Sequence, residues 1–171
     1  DGFQVAAADL RIEDLRTQID ALDDDGVIAV ELDVTSEELW ASAVAEVVER
    51  FGGLSTLINN AGGVLHRASL SDETAEGFES SWRFNTLGPF LGIRASLPHL
   101  READGAAIVN TCSTGAIRPF PFHAAYGSSK WALRGLTQIA AAELAGDASG
   151  STRCFPGRST HRCSTTPHGS A

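Results

Sequence analysis

The stretch FQVAAADLRIEDLRTQIDALDDDGVIAVELDV, residues 3–34, decides the fold. It opens with a short apolar run that ends at Asp9, and a helical pattern follows in which the apolar residues from Ile12 to Leu22 share one face. A second apolar run, at residues 26–34, has the length and composition of another strand. Strand, helix and strand in this order, with both strands apolar, predict parallel strands that are covered by helices.

The same alternation continues along the chain. The predicted segments are a helix at 35–52, a strand at 54–63 that runs into an Asn and Gly turn, a helix at 77–102, a strand at 105–113 and a helix at 124–145. We expect Thr35 to be the N-cap of the first of these helices, with Glu38 as its capping-box partner. The predicted fold class is α/β with a doubly wound parallel sheet, in which ligands bind beyond the carboxyl ends of the strands.

Composition and charge restrict the classes of function. Of the 171 residues, 43% are hydrophobic and 20% are charged, which is ordinary for a soluble globular domain. The formal net charge of -9 argues against nucleic acid or an anionic membrane as the main partner, because both need clustered Lys and Arg. No apolar run approaches the roughly 20 residues of a membrane span and no signal segment opens the chain, so we expect a cytoplasmic location. The three cysteines show neither a disulfide framework nor metal-ligand spacing, so we expect no metal site and a small, buried Cys112.

The chain has a single tyrosine, Tyr126, and a single lysine, Lys130, four residues apart on a predicted helix. This spacing puts both on one helix face, where the ammonium stabilises a phenolate and suits the tyrosine to proton transfer at neutral pH. Taken alone, the pair fits an ordinary helix surface better than a catalytic site. Three other features favour catalysis: Ser113 ends a strand thirteen positions before Tyr126, NNAG at 59–62 ends the preceding strand, and Asn85 lies inside a helix, where asparagine is disfavoured.

As a set, the strand-end NNAG, the helical Asn, the Ser-x12-Tyr spacing and YxxxK resemble the short-chain dehydrogenase/reductase family, over about residues 1–148. The resemblance implies an oxidoreductase that interconverts a secondary alcohol and a ketone by hydride transfer with NAD(P). It implies Tyr126 as the general acid/base, Lys130 as the residue that activates it and holds the nicotinamide ribose, and Ser113 as the residue that orients the substrate oxygen. Asn85 would hold the water of a proton relay behind the lysine.

The resemblance also implies a dinucleotide at the carboxyl ends of the strands. The residues that would contact it are Asn59, Ala61 and Gly62 in the cofactor cleft and Asp33 at the adenine. Asp9 carries a physical argument of its own, because a carboxylate there accepts hydrogen bonds from both ribose hydroxyls and repels a 2'-phosphate, which favours NAD over NADP. Arg11 weakens that preference. Capping of the following helix is the alternative role for both carboxylates.

Part of the family pattern is absent from the sequence. No strand with a Gly-rich turn comes before the strand that ends at Asp9, so the sequence begins at the family's second strand. In the order 3-2-1-4-5-6 the first strand is central, so we expect an incomplete Rossmann-like doubly wound sheet that is divided into two halves. Because such halves expose unpaired edges, we expect the polypeptide alone to be unstable and to bind dinucleotide poorly.

Residues 149–171 differ from the partial dinucleotide-binding domain at 1–148. This tail has no carboxylate and no Val, Ile or Leu, where the resemblance implies a sixth strand and a substrate loop. With one permitted choice of codons, the tail read in another frame encodes an apolar strand, a Pro-Gly pair and a polar loop. We therefore expect a frame-shifted tail in which the strands after the fifth are missing and the cysteines and histidines have no function; a naturally disordered tail is the alternative.

Three interpretations of function stay open on these residues. The first is the oxidoreductase on a small alcohol or ketone, which as a full-length enzyme would be a homodimer or homotetramer. The second is a catalytically inactive fragment that acts at most by association, through the helices that carry Asn85 and Tyr126. The third is a sugar-nucleotide epimerase, which shares YxxxK but fits NNAG less well. Steroids, acyl thioesters and simple ketones are equally open as substrates.

Overall fold

The computed structural model describes residues 2–144 and, for the backbone, residues 151–156. The strands are β1 (Val5–Asp9), β2 (Val27–Glu31), β3 (Thr56–Asn59), β4 (Ala107–Cys112) and β5 (Ser151–Pro156). The helices are α1 (Ile12–Asp20), α2 (Glu37–Phe51), α3 (Ala75–Trp82), α4 (Gly88–Glu102) and α5 (Ala124–Leu144). A π-helical turn, Arg83–Leu87, joins α3 directly to α4. The predicted alternation of strands and helices is confirmed.

The strands of the described residues pair in parallel and form two separate sheets. β1 pairs with β2, with Val5 opposite Val27 at the start of the ladder. β3, β4 and β5 form the second sheet in that order, and Asn59 lies opposite Asn110 where the β3–β4 ladder ends. Parallel strands connected through helices confirm the α/β class. The two sheets are the halves that the sequence predicts for a sheet without its central strand.

Helix α2 begins one residue later than its predicted cap. The N-cap is Ser36, whose hydroxyl oxygen accepts a hydrogen bond of 3.2 Å from the backbone N–H of Leu39. Thr35 is not the N-cap, because its own hydroxyl donates to Asp33 Oδ1 at 2.8 Å. The carboxylate at the end of the preceding strand therefore takes the threonine, and the next hydroxyl in the chain caps the helix.

Part of the predicted tail forms a strand. The backbone of residues 151–156 runs parallel to β4, from Ser151 opposite Ala107 to Pro156 opposite Cys112. The prediction of a tail without a strand is wrong for these residues. An open edge of β4 offers backbone N–H and C=O groups to any extended segment, and ladder hydrogen bonds do not depend on side chains. Residues 145–150 and 157–171 of the chain lie outside the described residues.

One hydrophobic core joins both sheets through their helices. Its buried side chains come from β2, α2, β3, α4, β4 and α5, and include Val30, Trp40, Leu57, Leu91, Ile108 and Leu144. Helix α1 contributes no buried residue. The core is therefore shared between β2 with α2 and the group of β3, α4, β4 and α5, and its apolar burial stabilises both sheets. No helix in the described part of the chain is long and apolar enough to cross a membrane.

Cys112 lies at the end of β4 and is buried, as the sequence predicts, with 6% of its surface exposed. It is also disulfide-bonded, which the spacing of the cysteines did not predict. The spacing of cysteines along a chain does not report which sulfur atoms meet in space, and the pairing needs the tertiary arrangement.

Candidate active site

The side chain of Asn85 joins the turn that follows β3 to the continuous helix formed by α3, the π-helical turn and α4. Its side chain is fully buried. Its Oδ1 accepts a hydrogen bond of 2.9 Å from Gly63 N, and its Nδ2 donates at 3.0 Å to the carbonyl oxygens of Gly63 and Ser81. A polar side chain buried this completely needs such partners, because an unpaired amide inside a protein is destabilising. The side chain of Asn85 is thus engaged by backbone groups and fixes the turn.

The π-helical turn around Asn85 has a local cause. The N–H of Gly88 donates to the carbonyl of Arg83, five residues earlier, as in a π-helix. Pro89 has no N–H, so it cannot donate the bond that a regular α-helix would place on the carbonyl of Asn85. The Gly88-Pro89 pair therefore favours the wider π-helical turn at Asn85.

Lys130 reaches the same turn from α5. Only 3% of its surface is exposed, and Nζ donates a hydrogen bond of 3.1 Å to the carbonyl oxygen of Thr111. A Cβ atom added to Gly62 would lie 2.7 Å from Nζ and 3.0 Å from Asn85 Oδ1. Burial lowers the pKa of Lys130 from 10.5 to about 8, because the ammonium loses its hydration. Glycine at position 62 is what allows the lysine and the asparagine to meet at the turn.

Ser113 and Tyr126 meet at a second glycine. A Cβ atom added to Gly115 would lie 3.4 Å from Ser113 Oγ and 3.4 Å from Tyr126 Cε1. Ser113 Oγ accepts a hydrogen bond of 3.0 Å from the backbone N–H of Gly115, so the hydroxyl group keeps its own proton for another acceptor. Since Tyr126 and Lys130 share α5, the four predicted catalytic residues gather at the carboxyl ends of β3 and β4.

The predicted cofactor residues after β3 divide into two kinds. Ala61 and Gly62 are exposed at the carboxyl end of the strand, where a ligand can reach them. Asn59 is 5% exposed, and its Nδ2 donates to Asn110 Oδ1 at 2.8 Å and to the Pro89 carbonyl at 3.3 Å. The expectation that Asn59 lines the cleft is therefore corrected for its side chain. The side chain faces the core because it satisfies polar groups of the neighbouring strand and helix.

The two predicted carboxylates both organise backbone after a strand. Asp9 Oδ1 accepts a hydrogen bond of 2.9 Å from Arg11 N, and the Arg11 Nε lies 3.9 Å from the same oxygen. Asp33 Oδ1 accepts from the N–H and the hydroxyl of Thr35, each at 2.8 Å. These bonds engage one oxygen of each carboxylate, but neither residue caps the following helix, because the N-caps are Arg11, without a side-chain bond, and Ser36. In the described part of the chain, no three His, Cys, Asp or Glu side chains gather as metal ligands.

Sequence reasoning missed a buried polar chain under the site. Asn110 Nδ2 donates to Thr137 Oγ1 at 3.0 Å, and the Thr137 hydroxyl donates to the Leu133 carbonyl at 2.7 Å. Thr111, next along β4, donates from its hydroxyl to Asn60 Oδ1 at 3.1 Å. The signal was an Asn-Thr pair inside an otherwise apolar strand, since buried polar side chains need partners.

The loop before α5 brings aromatic rings to the site. The His123 ring lies edge-on to Phe120 at 6.3 Å and to Tyr126 at 6.4 Å between centroids. Its Nδ1 is 2.7 Å from the Pro121 carbonyl, which can only accept, so Nδ1 carries the proton. Phe122 has a positive φ of 64°, which a phenylalanine rarely adopts. Phe120 and Phe122 are both exposed, at 48% and 59%.

Comparison with known proteins gives a consistent result. Residues 1–152 match the family model of the short chain dehydrogenases. The chain is 38% identical to L-2,3-butanediol dehydrogenase of Corynebacterium glutamicum over 151 residues, which are 85% of this chain and 58% of that protein. It is 38% identical to trans-4-hydroxycyclohexanecarboxylate dehydrogenase of Sinomonas cyclohexanicum over 120 residues, which are 70% of this chain and 46% of that protein.

A solved structure of ElxO with NADP bound has a TM-score of 0.82 to this chain and 29% sequence identity. The similarity covers 90% of this chain and 62% of ElxO. The chain therefore spans about half of the length of the proteins that it matches.

Proposed function

Because the chain belongs to the short-chain dehydrogenase family, we propose that it carries the catalytic part of an oxidoreductase that interconverts a secondary alcohol and a ketone with a nicotinamide coenzyme. The observation that supports this most directly is the meeting of Ser113 and Tyr126 at Gly115. A hydroxyl and a phenol beside one small residue can both reach a single oxygen atom of a substrate.

Each side chain has a defined part in the proton transfer. Tyr126 gives a proton to the carbonyl oxygen or takes one from the alcohol, and Ser113 hydrogen-bonds the same oxygen. Lys130, which donates a hydrogen bond to the carbonyl of Thr111 at the end of β4, supplies a proton-carrying group one helical turn after the tyrosine. The side chain of Asn85 is engaged by Gly63 and Ser81, so a relay water would bind its backbone carbonyl, which lacks the donor of a regular helix.

The residues present fit one side of a nicotinamide dinucleotide. When bound, the coenzyme donates or accepts the hydride at its nicotinamide ring. Lys130 would hold the nicotinamide ribose, and the exposed Ala61 and Gly62 would lie along it. The close approach of Gly62 to Nζ supports this assignment, because a side chain there would fill the space beside the amine.

Asp9 favours NAD over NADP in this proposal. Its carboxylate is 48% exposed at the end of β1, and one oxygen is free of the bond to Arg11 N. A free carboxylate oxygen suits ribose hydroxyls and repels a phosphate. Arg11 acts in the opposite direction, and the related ElxO was solved with NADP. The affinities of NAD and NADP, measured side by side, decide between them.

The substrate proposed is a small secondary alcohol. The two relatives are named for such alcohols, a butanediol and a ring-bound hydroxyl group. The exposed rings of Phe120 and Phe122 lie on the loop that leads to Tyr126 and offer apolar surface to a hydrocarbon skeleton. Butane-2,3-diol and 4-hydroxycyclohexanecarboxylate are therefore the first substrates to assay.

Replacement of Tyr126 by Phe tests the proposal. Turnover of either alcohol, followed by the absorbance of the reduced nicotinamide, should fall roughly 10²- to 10⁴-fold, which is the usual contribution of a general acid/base. NAD affinity should change little, because the ring is kept. The matched control is Ser128→Ala, which removes an exposed hydroxyl group from the same helix and keeps the phenol. Full turnover by the Tyr126→Phe variant would contradict the assignment.

A catalytically inactive, associating fragment is the second candidate. It is favoured by the division of the strands into two sheets and by exposed apolar side chains on three helices. These side chains are Phe78, Trp82, Phe90, Trp131 and Ile139. Hydride transfer measured together with the molecular mass in solution separates the candidates. A multimer without turnover supports the second, and turnover supports the first.

A further inference from the structure

Thr111 makes two hydrogen bonds to two different parts of the candidate active site. Its carbonyl oxygen accepts from Lys130 Nζ at 3.1 Å, and its hydroxyl donates to Asn60 Oδ1 at 3.1 Å. Lys130 belongs to α5, whereas Asn60 begins the turn after β3. Thr111, a half-buried residue of β4, thus bonds both to the lysine and to the turn that contains Gly62.

The carbonyl of Thr111 needs a partner because of where β3 ends. Ala107 N donates to Ser55 O, so odd-numbered residues of β4 direct their backbone polar groups toward β3. The β3–β4 ladder ends at Asn59 opposite Asn110, one position before Thr111. Lys130 Nζ fills the position that the next strand residue would take. Because β4 is the middle strand of its sheet, its backbone carbonyl is held in place and fixes the amine more firmly than a flexible side chain would.

The hydroxyl of Thr111 acts on the turn. Its bond to Asn60 extends the contact between β3 and β4 by one position beyond the last ladder pair. Gly62 follows two residues later, and the space beside it is only wide enough for a glycine next to Nζ. A shift of Asn60 would therefore move Gly62 and open the space around the amine.

We propose that Thr111 is a positioning residue of the candidate active site, which sets the turn at Asn60–Gly62 against Lys130 through its hydroxyl while its carbonyl holds the amine. The relevance of this role to catalysis rests on the proposed function. The hydrogen bonds of Thr111 can be tested without an activity assay, because they join only residues of this chain.

Lys130 is the single lysine of the chain, so lysine labelled with ¹³C at Cε gives one side-chain signal whose titration reports this amine alone. The test compares the full chain with Thr111→Val, which removes the hydroxyl and keeps the branched shape, and with Thr111→Ser, which keeps the hydroxyl. Thr56→Val, an exposed threonine at the start of β3, is the matched control.

In the unaltered chain the signal should titrate near pH 8, the pKa that burial gives Lys130. Thr111→Val should raise that pKa by about one unit, a tenfold change in the protonation equilibrium, because the turn at Asn60–Gly62 shifts and water reaches the amine. Thr111→Ser and Thr56→Val should titrate like the unaltered chain. If Thr111→Val does not fold, Asn60→Ala removes the same bond from the acceptor side and should raise the pKa equally.

Three results would overturn the proposal. The first is an unaltered Lys130 that titrates near 10.5, since the amine is then hydrated and the turn does not enclose it. The second is an unchanged pKa in Thr111→Val or, where that variant is unfolded, in Asn60→Ala. The third is an equal shift in Thr111→Ser and Thr111→Val. A chain that gives the expected titrations but no hydride transfer would refute the proposed function and leave the role of Thr111 intact.

Discussion

The Nζ atom of Lys130 lies 2.7 Å from the position that a Cβ atom of Gly62 would occupy. The amine also donates to the Thr111 carbonyl, so it is held between a turn and a strand end. A glycine at this place is therefore a requirement of the lysine's position and not of the turn's backbone, which has no positive φ at Gly62.

Gly62→Ala should displace the side chain of Lys130 and lower the free energy of unfolding only slightly. The added methyl group meets the far end of a flexible side chain, so we expect a loss of at most about 1 kcal/mol in the free energy of unfolding. Gly92→Ala is the contrasting variant, because its methyl group would lie 2.7 Å from the buried Trp40 ring and from Asn59 Oδ1. Overpacking of that kind costs about 1–3 kcal/mol. Urea titrations of both variants check the order, and equal losses would contradict it.

Stability should rise with pH between about 8 and 10.5 because of Lys130. The pKa of this lysine is lowered by burial, so in that range the unfolded chain binds a proton that the folded chain has released. The unfavourable burial of the ammonium is thus fully present below pH 8 and is relieved above it. The gain is about 3 kcal/mol at most for a shift of this size.

Lys130→Met supplies the comparison for this pH dependence. It fills the same space without a titrating group, so the difference in unfolding free energy between the two proteins should grow in favour of the lysine form as the pH rises. Denaturation at a series of pH values measures the difference. A constant difference from pH 7 to pH 10 would show that Lys130 is not desolvated.

Asn85→Ala should destabilise the chain by about 2–4 kcal/mol, since it leaves the buried polar groups of Gly63 and Ser81 unpaired. Ser80→Ala is the control on the same helix, where a single bond to the Gly77 carbonyl is lost and about 1 kcal/mol or less is expected. Chemical denaturation gives both values. A loss for Asn85→Ala no greater than the control's would mean that the asparagine does not hold the turn.

Phe122→Gly should be tolerated better than Phe120→Gly by about 1 kcal/mol. Phe122 has a φ of 64°, where glycine relieves strain, whereas Phe120 has no positive φ. Both rings are largely exposed, so the loss of apolar burial is similar in the two variants. Thermal unfolding compares them, and the reverse order would argue against a left-handed backbone at Phe122.

The local features of the site could be predicted because they depend on near neighbours in the chain. Tyr126 and Lys130 share a helix face through their spacing alone. Ser113 and the NNAG turn lie at strand ends, and parallel strands bring such ends to one edge of the sheet. The resemblance to the family then gave these residues roles, and the division of the sheet followed from the order of its strands.

Other features depend on contacts between residues that are far apart in sequence. The inward turn of Asn59, the shift of the α2 cap to Ser36 and the pairing of residues 151–156 with β4 were not predicted. Each arises from competition for hydrogen-bond partners. Residue types and spacing do not show which of several possible groups forms the hydrogen bond.

The sequence by itself determined the α/β alternation and the places of the candidate catalytic side chains at strand ends and on one helix face, because periodicity and spacing are local properties of the chain. Only the tertiary structure decided that Lys130 Nζ occupies the space beside Gly62 and that Thr111 makes hydrogen bonds to both Lys130 and Asn60. These contacts join residues 19 and 51 positions from Thr111, and strand register and helix packing set such distances. Neither strand register nor helix packing can be predicted from the local pattern of residues.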